Sequence, residues 1–100
     1  EQFIIQGDRE LKRFSLFGSS TKYENARELF KKAGNAYKVA KKWQEAGDVF
    51  LRCADLSQKL QESHEAATYF VETGNCYSKV NPTEAIDTYR RAIDLYTDVG

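Results

Sequence analysis

Small and aromatic residues recur along this chain at helical spacing. Ala26, Ala46, Ala66 and Ala85 are each followed four positions later by an aromatic, namely Phe30, Phe50, Phe70 and Tyr89. Ala33, Cys53, Thr73 and Ala92 follow at seven positions, and Tyr37, Ser57, Tyr77 and Tyr96 at eleven. Because a helix turns about 100° per residue, offsets of 0, 4, 7 and 11 share one face. Each copy is therefore one amphipathic helix. Copies start 20, 20 and 19 residues apart, which leaves room for a helix and a tight turn. Repetition at this period predicts an all-α, right-handed α-solenoid of antiparallel helical hairpins, with about five helices over residues 1–100 as one repeat region.

Local signals place the elements. A first helix covers about residues 3–13, and the segment Phe14–Ser20 breaks the pattern. Thr21 followed by Glu24 reads as a capping box that opens a second helix, from about Lys22 to Ala40. A third runs from about Trp43 to Leu60, and Ser63 is placed to cap a fourth that ends near Lys79. Asn81-Pro82 starts a fifth, since proline in the first turn sacrifices no hydrogen bond; Gly100 reads as a stop after about Asp98. Gly34 and Gly74 sit inside helices, where glycine costs about 1 kcal/mol against alanine. Close approach of a neighbouring helix is the expected reason.

Composition narrows the function classes. No apolar run approaches the ~20 residues that cross a bilayer. Cys53 and Cys76 lie on or beside apolar faces without a CxxC pairing, as expected of buried thiols in a reducing compartment. The net charge is zero, yet residues 1–60 carry twelve Lys/Arg against eight Asp/Glu, and residues 61–100 three against seven. Such asymmetry suits directional steering of a protein partner. It argues against nucleic acid, which would favour an overall basic chain. No glycine-rich phosphate loop, metal-ligand spacing or acid–base constellation is present, so the chain reads as a non-enzyme with no cofactor or metal. Ser63-His64-Glu65 is no relay, because consecutive helical residues diverge.

Several stretches carry a family resemblance. Phe30, Ala33, Gly34, Tyr37, Ala46, Phe50 and Cys53 follow tetratricopeptide spacing, and Phe70, Thr73, Gly74, Tyr77, Ala85, Tyr89 and Ala92 repeat it one residue shorter. The Phe14–Ser20 segment, Tyr23–Ala26, Ala40–Gly47, His64–Ala67 and Ala92–Gly100 together resemble the N-terminal part of the soluble NSF attachment proteins, the SNAPs, nearer the alpha than the gamma type. The resemblance covers about residues 13–100 and implies a twisted sheet of helical hairpins in an N-terminal fragment of a longer array. It further implies a cytoplasmic, peripheral membrane adaptor in vesicle-mediated transport. Such an adaptor lies along a SNARE four-helix bundle of the syntaxin type and recruits the hexameric AAA+ ATPase NSF, through regions beyond these residues, to disassemble it.

Two groups of residues are candidates for contact with partners. Phe14, Leu16 and Phe17 lie in a loop outside the repeat. They read either as a shallow membrane insertion beside Lys12 and Arg13 or as a staple folded onto the second helix. The resemblance favours insertion. Arg27, Lys31, Lys38 and Lys42 fall on one helical stripe, away from Phe30 and Tyr37. They read either as a basic surface for an acidic partner or as a solvated face. Arg90 and Arg91 are weaker candidates, and Trp43 is expected to pack at a corner between helices. The rival readings of the whole are a generic tetratricopeptide-like peptide-binding scaffold and a self-associating structural piece.

Overall fold

The computed structural model describes residues 2–13 and 20–99, with Val99 as backbone alone. The described residues form five helices and no strand: α1 (Gln2–Lys12), α2 (Ser20–Val39), α3 (Trp43–Lys59), α4 (Ser63–Tyr77) and α5 (Pro82–Val99). Each helix packs against the next in sequence, α1 on α2 through to α4 on α5. Neighbours are antiparallel. Between α1 and α2, for example, contacts pair Lys32 with Phe3, Phe30 with Gly7 and Asn25 with Glu10, in opposite senses along the two helices.

The repeat positions build the seams. Ala26, Ala46, Ala66 and Ala85 are buried, as are Phe30, Phe50 and Phe70 and the residues at seven, Ala33, Cys53, Thr73 and Ala92. Alanine at the first position lets helix backbones approach, and the phenylalanines fill the space between them. Burying each ring fully is worth about 1.5–3 kcal/mol before ordering costs. The pattern weakens at its end: Tyr89 is half-buried and Tyr96 is exposed.

Four glycines lock the helices in register. A Cβ added to Gly7 would stand 2.5 Å from the Phe30 ring, one on Gly34 2.7 Å from Phe50, one on Gly47 2.5 Å from Tyr77 Cδ1, and one on Gly74 2.6 Å from Tyr89. Each successive helix pair thus has one aromatic ring seated in a notch that only glycine leaves open. The close approach expected at Gly34 and Gly74 is present, and Gly7 and Gly47 extend it to every seam. In all four cases the residue after the glycine is Asp8, Asn35, Asp48 or Asn75.

Alternate helices form two layers. On one side Arg52 of α3 pairs with Asp8 of α1, and Arg91 of α5 lies 3.8 Å from Asp55 of α3. These two guanidinium groups also cover buried rings, Arg52 at 4.0 Å from Phe30 and Arg91 at 4.4 Å from Phe70. Arg91 therefore belongs to the packing. On the other side α2 and α4 run parallel, tied by Arg27–Glu62 at 2.6 Å and Lys38–Glu72 at 2.5 Å.

Helix boundaries fall close to the expected ones, but their chemistry differs in places. α2 begins at Ser20, ahead of the Thr21 expected to cap it. Ser63 lies inside α4; the N-cap is Glu62, with no side-chain capping bond. The Asn81 cap is present, its Oδ1 accepting from the Glu84 N–H at 3.4 Å. α2 and α3 end in Schellman turns around left-handed Lys41 (φ 61°) and Gln61 (φ 60°). In these the N–H groups of Lys42 and Glu62 donate to Tyr37 and Ser57, and those of Lys41 and Gln61 donate to Lys38 and Gln58. Trp43 sits half-buried at the start of α3, with Lys79 Nζ 5.0 Å from its ring, at the corner where it was expected.

Candidate functional site

The parallel pair α2 and α4 borders a groove whose base is α3. A hollow of about 360 Å³ is lined there by Lys31, Asn35 and Lys38 from α2, Phe50 from α3, and His64, Glu65, Thr68, Tyr69 and Glu72 from α4. Phe50 and Tyr69 stack at 6.4 Å and supply an apolar floor. A second hollow of about 370 Å³ follows toward the far end of α4, lined by Lys38, Trp43, Glu72, Asn75, Cys76, Ser78 and Lys79. Lys38 and Glu72 line both hollows, so their ion pair stands between them as a strut.

The four basic candidates part company in this setting. Lys31 is exposed on the rim of the first hollow, without an ion pair among the described residues. Lys38 faces both hollows but is held by Glu72, whose hydrogen bond chiefly raises the lysine above its ordinary pKa. Arg27 is an interhelical fastener, bonding Ser57 Oγ at 2.9 Å and Glu62 at 2.6 Å. Burial acts to lower its pKa, and the Glu62 bond and charge more than offset that, so the group remains a cation. Lys42 leaves the stripe altogether. α2 stops at Val39, and the left-handed Lys41 turns the chain before Lys42 begins the approach to α3. The expected four-residue stripe therefore reduces to Lys31 and Lys38 on the groove. Arg90 is exposed on α5.

Phe14, Leu16 and Phe17 lie outside the described residues. His64 is exposed at the start of α4, its ring 6.2 Å from Tyr96. Cys53 and Cys76 are buried, free thiols. Burial pushes Cys53 up to about 12, and its Sγ donates to the Arg27 carbonyl at 3.6 Å. Reactivity requires the thiolate, so this cysteine is part of the core.

Sequence reasoning passed over the acids that tie α4 to α2. Glu62 and Glu72 sit 35 and 34 residues after the cations they bind, and that pairing of opposite charges was the available signal. It also passed over Asn35. Its amide faces the first hollow with no hydrogen-bond partner among the described residues, because Phe50, the ring seated at Gly34, carries no hydroxyl to engage it.

No described helix is long and apolar enough to cross a membrane. A stack of antiparallel hairpins with an open, polar-rimmed groove between parallel helices defines an α-solenoid scaffold of the helical-repeat class. The family described as "Soluble NSF attachment protein, SNAP" matches residues 1–100. The chain belongs to that family. It is 48% identical over 85 residues to the human alpha-soluble NSF attachment protein, covering 85% of this chain and 29% of that protein. It is 35% identical over 100 residues to the alpha-soluble NSF attachment protein of Vitis vinifera, covering all of this chain and 34% of the relative. It is 37% identical over 87 residues to a probable vesicular-fusion protein sec17 homolog of Schizosaccharomyces pombe, covering 87% and 30%. The chain thus spans about a third of the length of these relatives.

Proposed function

We propose that this chain serves a non-enzymatic adaptor of vesicle transport, contributing part of the surface that lies against SNARE bundles at membranes. The observation that carries this reading is the match to the attachment-protein family over residues 1–100. The relatives' names, an NSF attachment protein and a probable vesicular-fusion protein, support a part in NSF attachment and vesicle fusion, and the step proposed for it is the disassembly of SNARE bundles by an AAA+ ATPase. Coupling to that ATPase is proposed for the whole-length protein and is assigned to no residue here.

Within residues 1–100, Lys31 and Lys38 are the basic contacts offered to an acidic helical bundle, and the Phe50–Tyr69 floor takes an apolar side chain. Phe14, Leu16 and Phe17 touch the membrane by shallow insertion, and the protein acts at the cytosolic face of that membrane. One such insertion is weak by itself, so protein and membrane contacts act together.

A pull-down with the assembled SNARE bundle, set against single acidic tail peptides, tests the reading. Capture of the bundle, lost with Lys31→Glu plus Lys38→Glu and weakening as salt rises, is expected. Capture of peptides alone would favour a generic peptide scaffold instead, and capture of neither would remove the SNARE assignment from residues 1–100.

A further inference from the structure

Consecutive helices are antiparallel, so the last turn of α1, the first turn of α2 and the last turn of α3 share one end of the stack. Contacts between side chains fix this. Glu10 accepts from Asn25 at 3.2 Å, joining α1 to α2, and Tyr23 of α2 meets Lys59 of α3. The Tyr23 ring is approached by two ammonium groups, Lys22 Nζ at 5.9 Å and Lys59 Nζ at 5.5 Å from its centroid. Lys12 and Arg13 are exposed at the end of α1 on the same side. Lys22 and Lys59, 37 positions apart in sequence, are thereby brought to one aromatic side chain.

The acids at this end are mostly occupied. Glu10 is engaged by Arg13 and Asn25, and Glu62 by Arg27, while Glu24 is exposed. Neither Lys22 nor Lys59 has an ion pair within 4 Å among the described residues. Two like charges held near one ring without a counter-ion repel each other. The negative face of the ring offsets part of that cost, and an external anion would relieve the rest. A half-buried tyrosine flanked by lysines also has the chemistry of a membrane–water interface, where the ring sits at headgroup level and the ammonium groups meet phosphate and carboxylate.

We infer that Lys22 and Lys59, set around Tyr23, form a contact for acidic phospholipid headgroups. This rests on the reading that this end of the protein faces a membrane, and it adds an electrostatic component supplied by α2 and α3. The surface is assembled by folding, since Lys59 reaches it only when α3 is packed on α2. It makes recruitment dependent on the acidic lipid content of the target bilayer.

Flotation of the 100-residue chain with vesicles of phosphatidylcholine alone, or with added phosphatidylserine, tests the inference. Lys22→Gln with Lys59→Gln should weaken binding to the mixed vesicles by roughly fivefold per lysine and leave binding to pure phosphatidylcholine unchanged. Phe14→Ser with Phe17→Ser should weaken binding to both kinds of vesicle, so the two contributions separate. The charge-keeping pair Lys22→Arg with Lys59→Arg should bind as the parent does, which controls for any disturbance around Tyr23. Undiminished binding of the glutamine pair to mixed vesicles overturns the inference whatever the phenylalanine variant does. Equal binding of the parent to both vesicle types overturns it as well.

Discussion

The Tyr77 hydroxyl donates to Asp48 at 2.6 Å while its ring lies across Gly47, the residue just before that acceptor. Tyr89 does the same one seam later, with its ring on Gly74 and its hydroxyl on Asn75 at 2.6 Å. A single side chain thereby fixes both how close two helices come and how far one slides along the other.

Tyr77→Phe should keep the fold and cost about 1.5 kcal/mol, the low end of the scale for a hydrogen bond to a charged group because Asp48 is exposed, read by urea unfolding. Burial and the Asp48 bond raise the Tyr77 pKa above its ordinary 10.0. Its contribution is therefore full below pH 10 and is lost as pH rises beyond it. The parent should lose more stability than Tyr77→Phe on going from neutral to strongly alkaline solution. Parallel curves would contradict this.

Gly34→Ala should destabilise the stack, although alanine is the better helix former. The new methyl would stand 2.7 Å from the Phe50 ring. Overpacking of about 1–3 kcal/mol then opposes a propensity gain of about 1 kcal/mol. Combining it with Phe50→Leu should recover part of the loss, giving a favourable coupling in a double-mutant cycle.

Gln61→Gly is expected to stabilise the protein by a few tenths to about 1 kcal/mol, because glycine holds φ 60° without the Cβ penalty. Lys41→Gly should act likewise at φ 61°. A fall in melting temperature for both would show that these side chains contribute something the turns themselves do not explain.

Glu72→Gln should strengthen capture of an acidic SNARE bundle by releasing Lys38 from its strut, with a steeper dependence on salt. The pair is partly exposed, with side-chain accessibilities of 39% and 30%, so the cost to stability should be under about 1 kcal/mol. Unchanged capture would mean that Lys38 serves only to hold α2 beside α4.

The helices were legible because the Ala–aromatic spacing is a local signal, and Ala26, Phe30, Ala46, Phe50, Ala66 and Phe70 are buried as that spacing requires. The capping chemistry was less so. Asn81 caps α5 as its sequence suggests, while Ser63 was overtaken by a Schellman turn that places Glu62 at the N-cap. The basic stripe was half legible. A helical wheel extends a helix indefinitely, and it could not register that α2 turns away before Lys42. Nor could it show that Arg27 and Lys38 meet Glu62 and Glu72, since those pairings arise from the parallel alignment of α2 and α4. The Gly-Asp and Gly-Asn pairs at 7, 34, 47 and 74 were visible throughout, but their meaning depends on which ring arrives from the next helix.

That dependence reaches the surface. Asp48 and Asn75 are claimed by tyrosine hydroxyls, and Asp8, whose notch receives Phe30, turns instead to Arg52. Asn35 is left over, because the ring at Gly34 is a phenylalanine. One oxygen atom, present or missing on a ring inside the stack, decides whether the amide beside it is spent on internal fastening or left as a handle for something outside. A single Phe/Tyr exchange at position 50, in the floor of the groove, could therefore engage or release the Asn35 amide that lines it.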